Sequence, residues 1–272
     1  IQIEPTNHCN VNCTCCSAPR SARPRGYMDY TLFCKIIDEA AALAIRRIHL
    51  YLHGEPMLHR EIIKMIAYTK ARSIGMHVTT NGMLIDEVMA KAVLDAGVDS
   101  ADHFRFSILG GSRQVHEMIM RGVAHDKVVQ NIDGFLRLRE HRQTSGPVVE
   151  AIMYLMPENE HEQEAFLRFW TGKVDHATVV GRVSQYFADR GKREDASYHR
   201  QMKCRHIWER LTVFWNGDVT VCCMDVDGEF VVGSLKEDSV ADVWNGDRLS
   251  SIRGMHREGR LNELPFCDQC DF

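Results

Sequence analysis

The sequence contains no apolar run approaching the roughly 18 residues that a membrane-spanning helix requires. Nor does one sign of charge prevail: 33 Lys and Arg stand against 37 Asp and Glu, a formal charge of −4. That balance gives no bulk electrostatic reason to expect nucleic acid or an anionic membrane as partner. Proline is scarce, 7 in 272 residues, and glycine is ordinary at 19, which excludes collagen-like and low-complexity chains. No charged-then-apolar leader precedes Ile1-Gln2-Ile3, and no initiator Met is present. The expectation is a cytoplasmic chain without a signal peptide, short of a few residues before Ile1. There is no internal repeat and, between Cys34 and Cys204, no cysteine.

Ten cysteines are nevertheless present, and they gather at the two ends: Cys9, Cys13, Cys15, Cys16 and Cys34, then Cys204, Cys222, Cys223, Cys267 and Cys270. A secreted disulfide scaffold of this cysteine content would be short and loop-rich. This chain is 44% hydrophobic and long enough for a full core. Reduced thiols held for metal are the better reading.

Between the two groups, short β-branched runs alternate with amphipathic stretches. Strands are expected at 1–4, 47–52, 76–80, 104–108, 148–155 and 177–183, and helices at 32–43, 62–73, 85–96, 127–140 and 160–170. Six strands separated by helical crossovers imply an α/β fold with a right-handed parallel sheet, a barrel or part of one, with functional residues at the carboxyl ends of the strands. After about residue 197 the rhythm changes. Leu211–Phe214, the turn Trp215-Asn216-Gly217-Asp218 and Val219–Cys222 read as a hairpin, and a short helix follows at 240–244. The division expected is 1–197 for the barrel and 198–272 for a small metal-stabilised domain, too short to bury much core alone.

Cys9, Cys13 and Cys16 form CxxxCxxC directly after the first strand. Iron–sulfur clusters are usually held by four thiolates, so three suggest an iron left open for a non-protein ligand. Zinc is the alternative, although it favours four ligands and paired CxxC spacing. Here the sequence resembles the radical SAM superfamily, in which three such cysteines hold a [4Fe-4S] cluster whose open iron chelates S-adenosylmethionine (SAM). The resemblance extends to the later strand ends. His53-Gly54-Glu55-Pro56 is similar to the family's GGEP segment, and its backbone and Glu55 would receive the SAM ammonium. Thr80-Asn81, within Thr79-Thr80-Asn81-Gly82, is similar to the family's TNG. Ser107, followed 14 residues later by Arg121, resembles the serine and arginine that contact the ribose and carboxylate of SAM. The loop between them departs from the family's Asp-Gly form. Together these motifs imply a partial (βα)6 radical SAM barrel, cleavage of SAM to a 5′-deoxyadenosyl radical, and a reductant such as flavodoxin or ferredoxin.

Cys204, Cys222, Cys267 and Cys270, with gaps of 18, 45 and 3, resemble the Twitch domain, a shortened SPASM domain whose four cysteines hold one auxiliary [4Fe-4S] cluster. Four thiolates would also suit zinc. Seven ligands leave Cys15, Cys34 and Cys223. Cys15 is expected to pack beside the first cluster and Cys34 to act as a small buried hydrophobe. Cys223, beside a ligand on a strand, should point opposite to Cys222. The resemblance is closest to aminoglycoside-pathway members, one group of which dehydrogenates a carbinol and another of which epimerises an amino-sugar carbon using a cysteine as hydrogen-atom donor. Cys223 as a spare thiol favours epimerisation of a small amino-sugar substrate, with dehydrogenation second. Radical modification of a peptide and a non-catalytic zinc-binding protein are further alternatives. Glu150 and Asp102 are acidic candidates for a cationic substrate without an assigned role. His8, His59, His77 and His116 are read as surface or supporting residues, and the scattered methionines as core filling.

Overall fold

Period-two burial gives each β run one face for helices and another for the interior. The computed structural model describes residues 1–142, 145–181, 204–264 and 267. The strands are β1 (Gln2–Ile3), β2 (Asn12–Cys13), β3 (Arg47–Leu50), β4 (Gly75–Thr80), β5 (His103–Ser107), β6 (Met120–Arg121), β7 (Val148–Tyr154), β8 (His176–Val180), β9 (Thr212–Val213), β10 (Asp218–Thr220) and β11 (Val231–Ser234). The helices are α1 (Tyr30–Ala42), α2 (Ile62–Lys70), α3 (Glu87–Asp95), α4 (Arg113–Ile119), α5 (His125–His141), α6 (Gln163–Trp170), α7 (His206–Glu209), α8 (Val240–Asn245) and α9 (Asp247–Glu258).

All six expected strands are present as β1, β3, β4, β5, β7 and β8, joined in parallel in that order. The expected end of the last strand, 182–183, lies outside the described residues. Helix starts are set by side-chain caps: Asp29 accepts from the Thr31 and Leu32 amides, and Asp86 from the Met89 amide. On the outer face Ile48, Leu50, Met76, Val78, Phe104, Phe106 and Val149 are fully buried. Phe104 and Phe106 meet Phe135 of α5 at centroid distances of 5.4 and 6.2 Å, which identifies this face as the helix side. The alternate residues His49, His77, His103, Arg105 and Glu150 therefore face inward.

The sheet does not stop at β1. β9 pairs parallel to β1, and β10 and β11 continue it antiparallel, giving the order β11-β10-β9-β1-β3-β4-β5-β7-β8. The expected hairpin forms, with Gly217 at φ +91°, a conformation glycine adopts without a Cβ penalty. Its first strand extends the barrel sheet: the Gln2 and Glu4 amides each donate 2.8 Å bonds to the Leu211 and Val213 carbonyls. The expected boundary at 197 falls outside the described residues.

A buried clasp reinforces this junction. Arg23 donates to both Glu4 carboxylate oxygens at 3.0 and 2.8 Å and from Nε to the Val226 carbonyl at 2.8 Å, and its guanidinium lies 3.8 Å from the Phe214 ring centroid. The Trp215 amide donates to the same Glu4 carboxylate at 3.2 Å. Three helices, α4, α7 and α9, were not anticipated.

Candidate functional site

The loop after β1 is built from backbone anchors. Asn7 donates to the Pro24 carbonyl and accepts from the Gly26 amide, both at 2.9 Å, and Arg25 donates to the Ala18 carbonyl at 2.6 Å and to that of Asn7. β2 pairs with β6 so that Asn12 opposes Arg121 and Cys13 opposes Met120, and the Thr14 amide reaches the Ile119 carbonyl at 2.8 Å. Arg121, expected to meet a carboxylate of SAM, is thus seated beside the cysteine loop.

Cys9, Cys13 and Cys16 share this loop with Cys15, and their chemistry suits a cationic cluster. Burial pushes the Cys9 and Cys15 thiols up to about 11 and raises Cys13 and Cys16 as well; at Cys13 the neighbouring Cys15, Cys16 and Cys9 raise it further. Thiolates that repel one another in a partly buried loop need a compensating positive centre, which iron supplies. Arg25 and Arg20 act in the opposite direction on Cys16.

The strand ends close over the loop. A Cβ on Gly54 would lie against the Thr6 carbonyl, 2.7 Å from the His8 carbonyl and 2.8 Å from Asn7 Cα, so only glycine allows this approach. The Glu55 amide donates to the His8 carbonyl at 2.8 Å. The Glu55 side chain turns inward, accepting from Thr80 Oγ1 at 2.7 Å, the Asn81 amide at 2.8 Å and the Met57 amide at 3.1 Å. Burial lifts its pKa to about 7 despite these bonds. Three of its roughly four acceptor positions are occupied, so the carboxylate works mainly as a clamp between the ends of β3 and β4. Pro56 opens a 3-10 turn, Asn81 Nδ2 donates to Asn10 Oδ1 at 2.8 Å, and His53 is buried with its ring 6.5 Å from Phe214. Ser107 ends β5 on the inner face.

At the other end, Cys204 precedes α7, Cys222 follows β10, and Cys267 packs with both against the core. The Met224 amide donates to Cys222 Sγ at 3.4 Å, a bond that stabilises a thiolate. Cys270 lies outside the described residues. Cys223 Sγ lies 3.9 Å from His206 Nδ1. Burial raises the phenols of Tyr51, after β3, and Tyr154, at the end of β7, with Arg105 opposing it at both and Cys223 adding the least of the contributions. In a flat sheet β10 and β7 would stand roughly 29 Å apart, six spacings of about 4.8 Å. Electrostatic contact between the turn after β10 and the ends of β3 and β7 requires the sheet to curl.

Of the four histidines read as surface or supporting residues three are interior, and so are the two acidic candidates. His59, His77 and His116 are 4%, 8% and 0% exposed. His59 Nε2 contacts the Met28 carbonyl at 2.8 Å, and His116 Nδ1 faces His125 Nδ1 at 2.9 Å. Only His8 lies near the surface, stacked on Tyr27 at 4.7 Å. Asp102 is buried under Lys70 at 2.8 Å and accepts the Met76 amide, so it serves the base of the sheet. Glu150 accepts from Arg105 Nε at 2.7 Å, with His103 Nε2 3.0 Å from the same oxygen, and is held down to about 2 by these partners against the opposing effect of burial. Neither acid is a solvated group awaiting a cation. Asn7, Asn10, Arg25, Tyr51, Tyr154 and His206 escaped the sequence reading because each acts through partners distant in the chain.

Residues 3–169 match the Radical SAM superfamily, and residues 204–271 match SPASM, an iron-sulfur cluster-binding domain. The whole chain aligns at 23% identity with 88% of the tungsten-containing aldehyde ferredoxin oxidoreductase cofactor-modifying protein of Pyrococcus furiosus. It aligns at the same identity, again in full, with 92% of the S-adenosyl-L-methionine-dependent 2-deoxy-scyllo-inosamine dehydrogenase of Niallia circulans. Among solved structures, BtrN in complex with AdoMet and 2-DOIA superposes with a TM-score of 0.64 at 17% identity, covering 100% of this chain and 92% of that one. Streptococcus suis SuiB bound to S-adenosylmethionine gives 0.74 at 15% identity, covering 99% and 71%.

Proposed function

The chain belongs to the radical SAM superfamily, and from that membership we propose that it epimerises a carbon of a small hydroxylated amino-sugar, with Cys223 as the hydrogen-atom donor. It is a radical SAM enzyme that uses SAM and an iron–sulfur cluster in its barrel and a further cluster in its SPASM domain. When bound, the reduced cluster and SAM supply a 5′-deoxyadenosyl radical that removes hydrogen from an unactivated C–H bond.

The chain's own residues are assigned as follows. Cys9, Cys13 and Cys16 hold the [4Fe-4S] cluster of the barrel. The backbone of His53, Gly54, Glu55 and Pro56 receives the SAM ammonium, while the Glu55 carboxylate fixes that segment to Thr80 and Asn81. Ser107 and Arg121 take the ribose and carboxylate. Cys204, Cys222, Cys267 and Cys270 hold the auxiliary cluster, assigned as a second [4Fe-4S]. The Cys223 S–H bond breaks as the new C–H bond forms on the opposite face of the substrate carbon, leaving a thiyl radical. One electron and one proton restore the thiol, the electron coming from an external reductant of the flavodoxin or ferredoxin type.

The observation that supports this reading is a thiol, Cys223, adjacent to an assigned cluster ligand but not itself assigned to a cluster, 3.9 Å from His206 Nδ1 and electrostatically linked to Tyr51 and Tyr154. Dehydrogenation is the second reading, favoured by the name of the Niallia circulans relative. Turnover in D2O separates the two. An epimerase places one solvent deuterium on the inverted carbon, and Cys223→Ala still cleaves SAM but loses inverted product. A ketone product, formed at the same rate by Cys223→Ala, would refute epimerisation.

A further inference from the structure

The inner face of the sheet carries polar groups that neither the SAM site nor the cysteine sites use. His49 of β3 is in register with His77 of β4, and His77 with His103 of β5. The ring centroids are 5.4 and 4.6 Å apart. His77 is 8% exposed. Its Nε2, His49 Nδ1 and Thr79 Oγ1 are buried and have no hydrogen-bond partner among the described residues. A buried polar atom without a partner is destabilising, so three on two neighbouring strands call for a polar ligand.

The kind of ligand follows from charge. Burial depresses the pKa of His49 to about 4 and of His77 to about 3, so both rings are neutral. A neutral imidazole offers one donor and one acceptor, and a threonine hydroxyl is both; the complementary group is another hydroxyl. The charges close by are spent on each other, Arg105 Nε lying 2.7 Å from Glu150 Oε2.

A metal ion is the competing occupant, because ligand atoms of His77, His103 and Glu150 lie within 4.8 Å of one another. Two features disfavour it. The His77 and His103 rings are stacked only 5° from parallel, so no ion can lie in both ring planes without reorientation. The carboxylate oxygen is also already held by the Arg105 guanidinium, which would repel a dication.

We propose that His49, His77 and Thr79 form a subsite that seats an uncharged, hydroxyl-bearing face of the substrate. This rests on the reading above, with the barrel interior as the substrate chamber. Tyr51, which follows β3, borders this cluster: its ring contacts those of His49 and His77 at 5.8 and 5.4 Å. Any ammonium groups of the substrate then lie away from this floor.

The test is calorimetric titration of the cluster-loaded, SAM-bound protein with myo-inositol, a neutral polyol, and with 2-deoxystreptamine, a dication. Thr79→Val and His77→Phe preserve shape, and iron content and circular dichroism check their folding. Binding of myo-inositol that weakens about five- to tenfold in each variant supports the subsite, as one lost hydrogen bond predicts. Absent binding, binding unchanged in both folded variants, or tighter binding of 2-deoxystreptamine with the same sensitivity overturns it. One equivalent of zinc retained by the wild type and lost in His77→Phe assigns the cluster to metal instead. If the D2O experiment fails while Thr79→Val still weakens myo-inositol, stereoinversion falls and the subsite stands.

Discussion

Replacing Arg23 with Met should unfold the junction between the N-terminal strand and the C-terminal hairpin more than any exposed substitution could. The pair it breaks is buried, with side-chain exposures of 9% for Arg23 and 0% for Glu4. Methionine covers Phe214 but leaves the Glu4 carboxylate with only the Trp215 amide, while the Val226 carbonyl keeps Ser21 Oγ at 2.9 Å. Removing one partner of a buried, hydrogen-bonded ion pair costs about 3–5 kcal/mol, far above the 0–1 kcal/mol of a surface pair. With a urea m-value of about 2–3 kcal/mol/M, the midpoint should fall by about 1–2 M. Anaerobic urea unfolding, followed by tryptophan fluorescence and cluster absorbance together, measures this and checks whether the two signals coincide. In the double variant Glu4→Leu with Arg23→Met no charge is stranded, so the loss should be smaller than in Arg23→Met. Lowering the pH from 8 to 6 should also lessen the Arg23→Met defect: an unpaired buried carboxylate has a raised pKa, and its protonated form is the better tolerated one. A single-variant shift below about 0.3 M, or single effects that simply add in the double variant, would refute the clasp.

Gly54→Ala should drive a methyl group into backbone on three sides of the cysteine loop, with no flexible side chain to give way. Overpacking of this kind costs about 1–3 kcal/mol, and here it should appear as lost barrel-cluster iron and at least tenfold weaker SAM binding by equilibrium dialysis, with auxiliary-cluster iron retained. Acid should destabilise the fold through its neutral histidines. His77 and His116 are both lowered to about 3 by burial, whereas in the unfolded chain they titrate near 6.5. The unfolded state thus binds more protons between those values, and stability falls as pH drops from 6.5 toward 3. By pH 5 the loss is about 2 kcal/mol for each histidine. His77→Asn and His116→Asn should each flatten the slope of stability against pH between 7 and 5, and an unchanged slope in both would show that these rings are not buried neutral.

What the sequence disclosed and what it hid follow from the range of the forces involved. Strands such as Met76–Thr80 and Phe104–Ile108 were legible because alternation and β-branching are local properties. The motifs at their ends were legible because each is a short run at a fixed place in the alternation. α4 was missed: it has only 7 residues, and its cap Ser112 follows Gly110-Gly111, which read as loop. α9 was missed because Asp247–Glu258 buries only Leu249, Ile252 and His256, too thin a stripe to announce a helix. The acids Glu150 and Asp102 were visible, but their burial was not, since the cations that neutralise them, Arg105 and Lys70, lie 45 and 32 residues away and meet them only across the sheet. Glu55 was read as a ligand for the SAM ammonium from the resemblance of its segment; what the sequence did not show is its burial, which depends on Thr80 and Asn81 closing over it.

The topology also explains how two cysteine groups at opposite ends of the chain can serve one reaction. Cys9 follows β1 by six residues, and β1 is the strand on which β9 is laid down in parallel, Gln2 against Thr212 and Ile3 against Val213. β10 turns back beside β9 and delivers Cys222 and Cys223 two and three residues beyond its end. Both groups are therefore referred to the same two-residue strand, with Glu4 and Arg23 locking the contact. Cys222 and Cys223, expected on a strand with opposed side chains, instead lie in the loop and turn after β10, where the Asp225 amide donates to the Cys222 carbonyl at 3.1 Å, so that turn and not strand alternation sets their directions. Registration at β1 thus sets where the turn that bears both thiols is delivered. Four backbone and side-chain anchors meet at Gln2–Glu4: the Leu211 and Val213 carbonyls, the Trp215 amide and Arg23. A strand that paired through only two residues would otherwise be free to slip, and with it the position of the turn that bears Cys222 and Cys223.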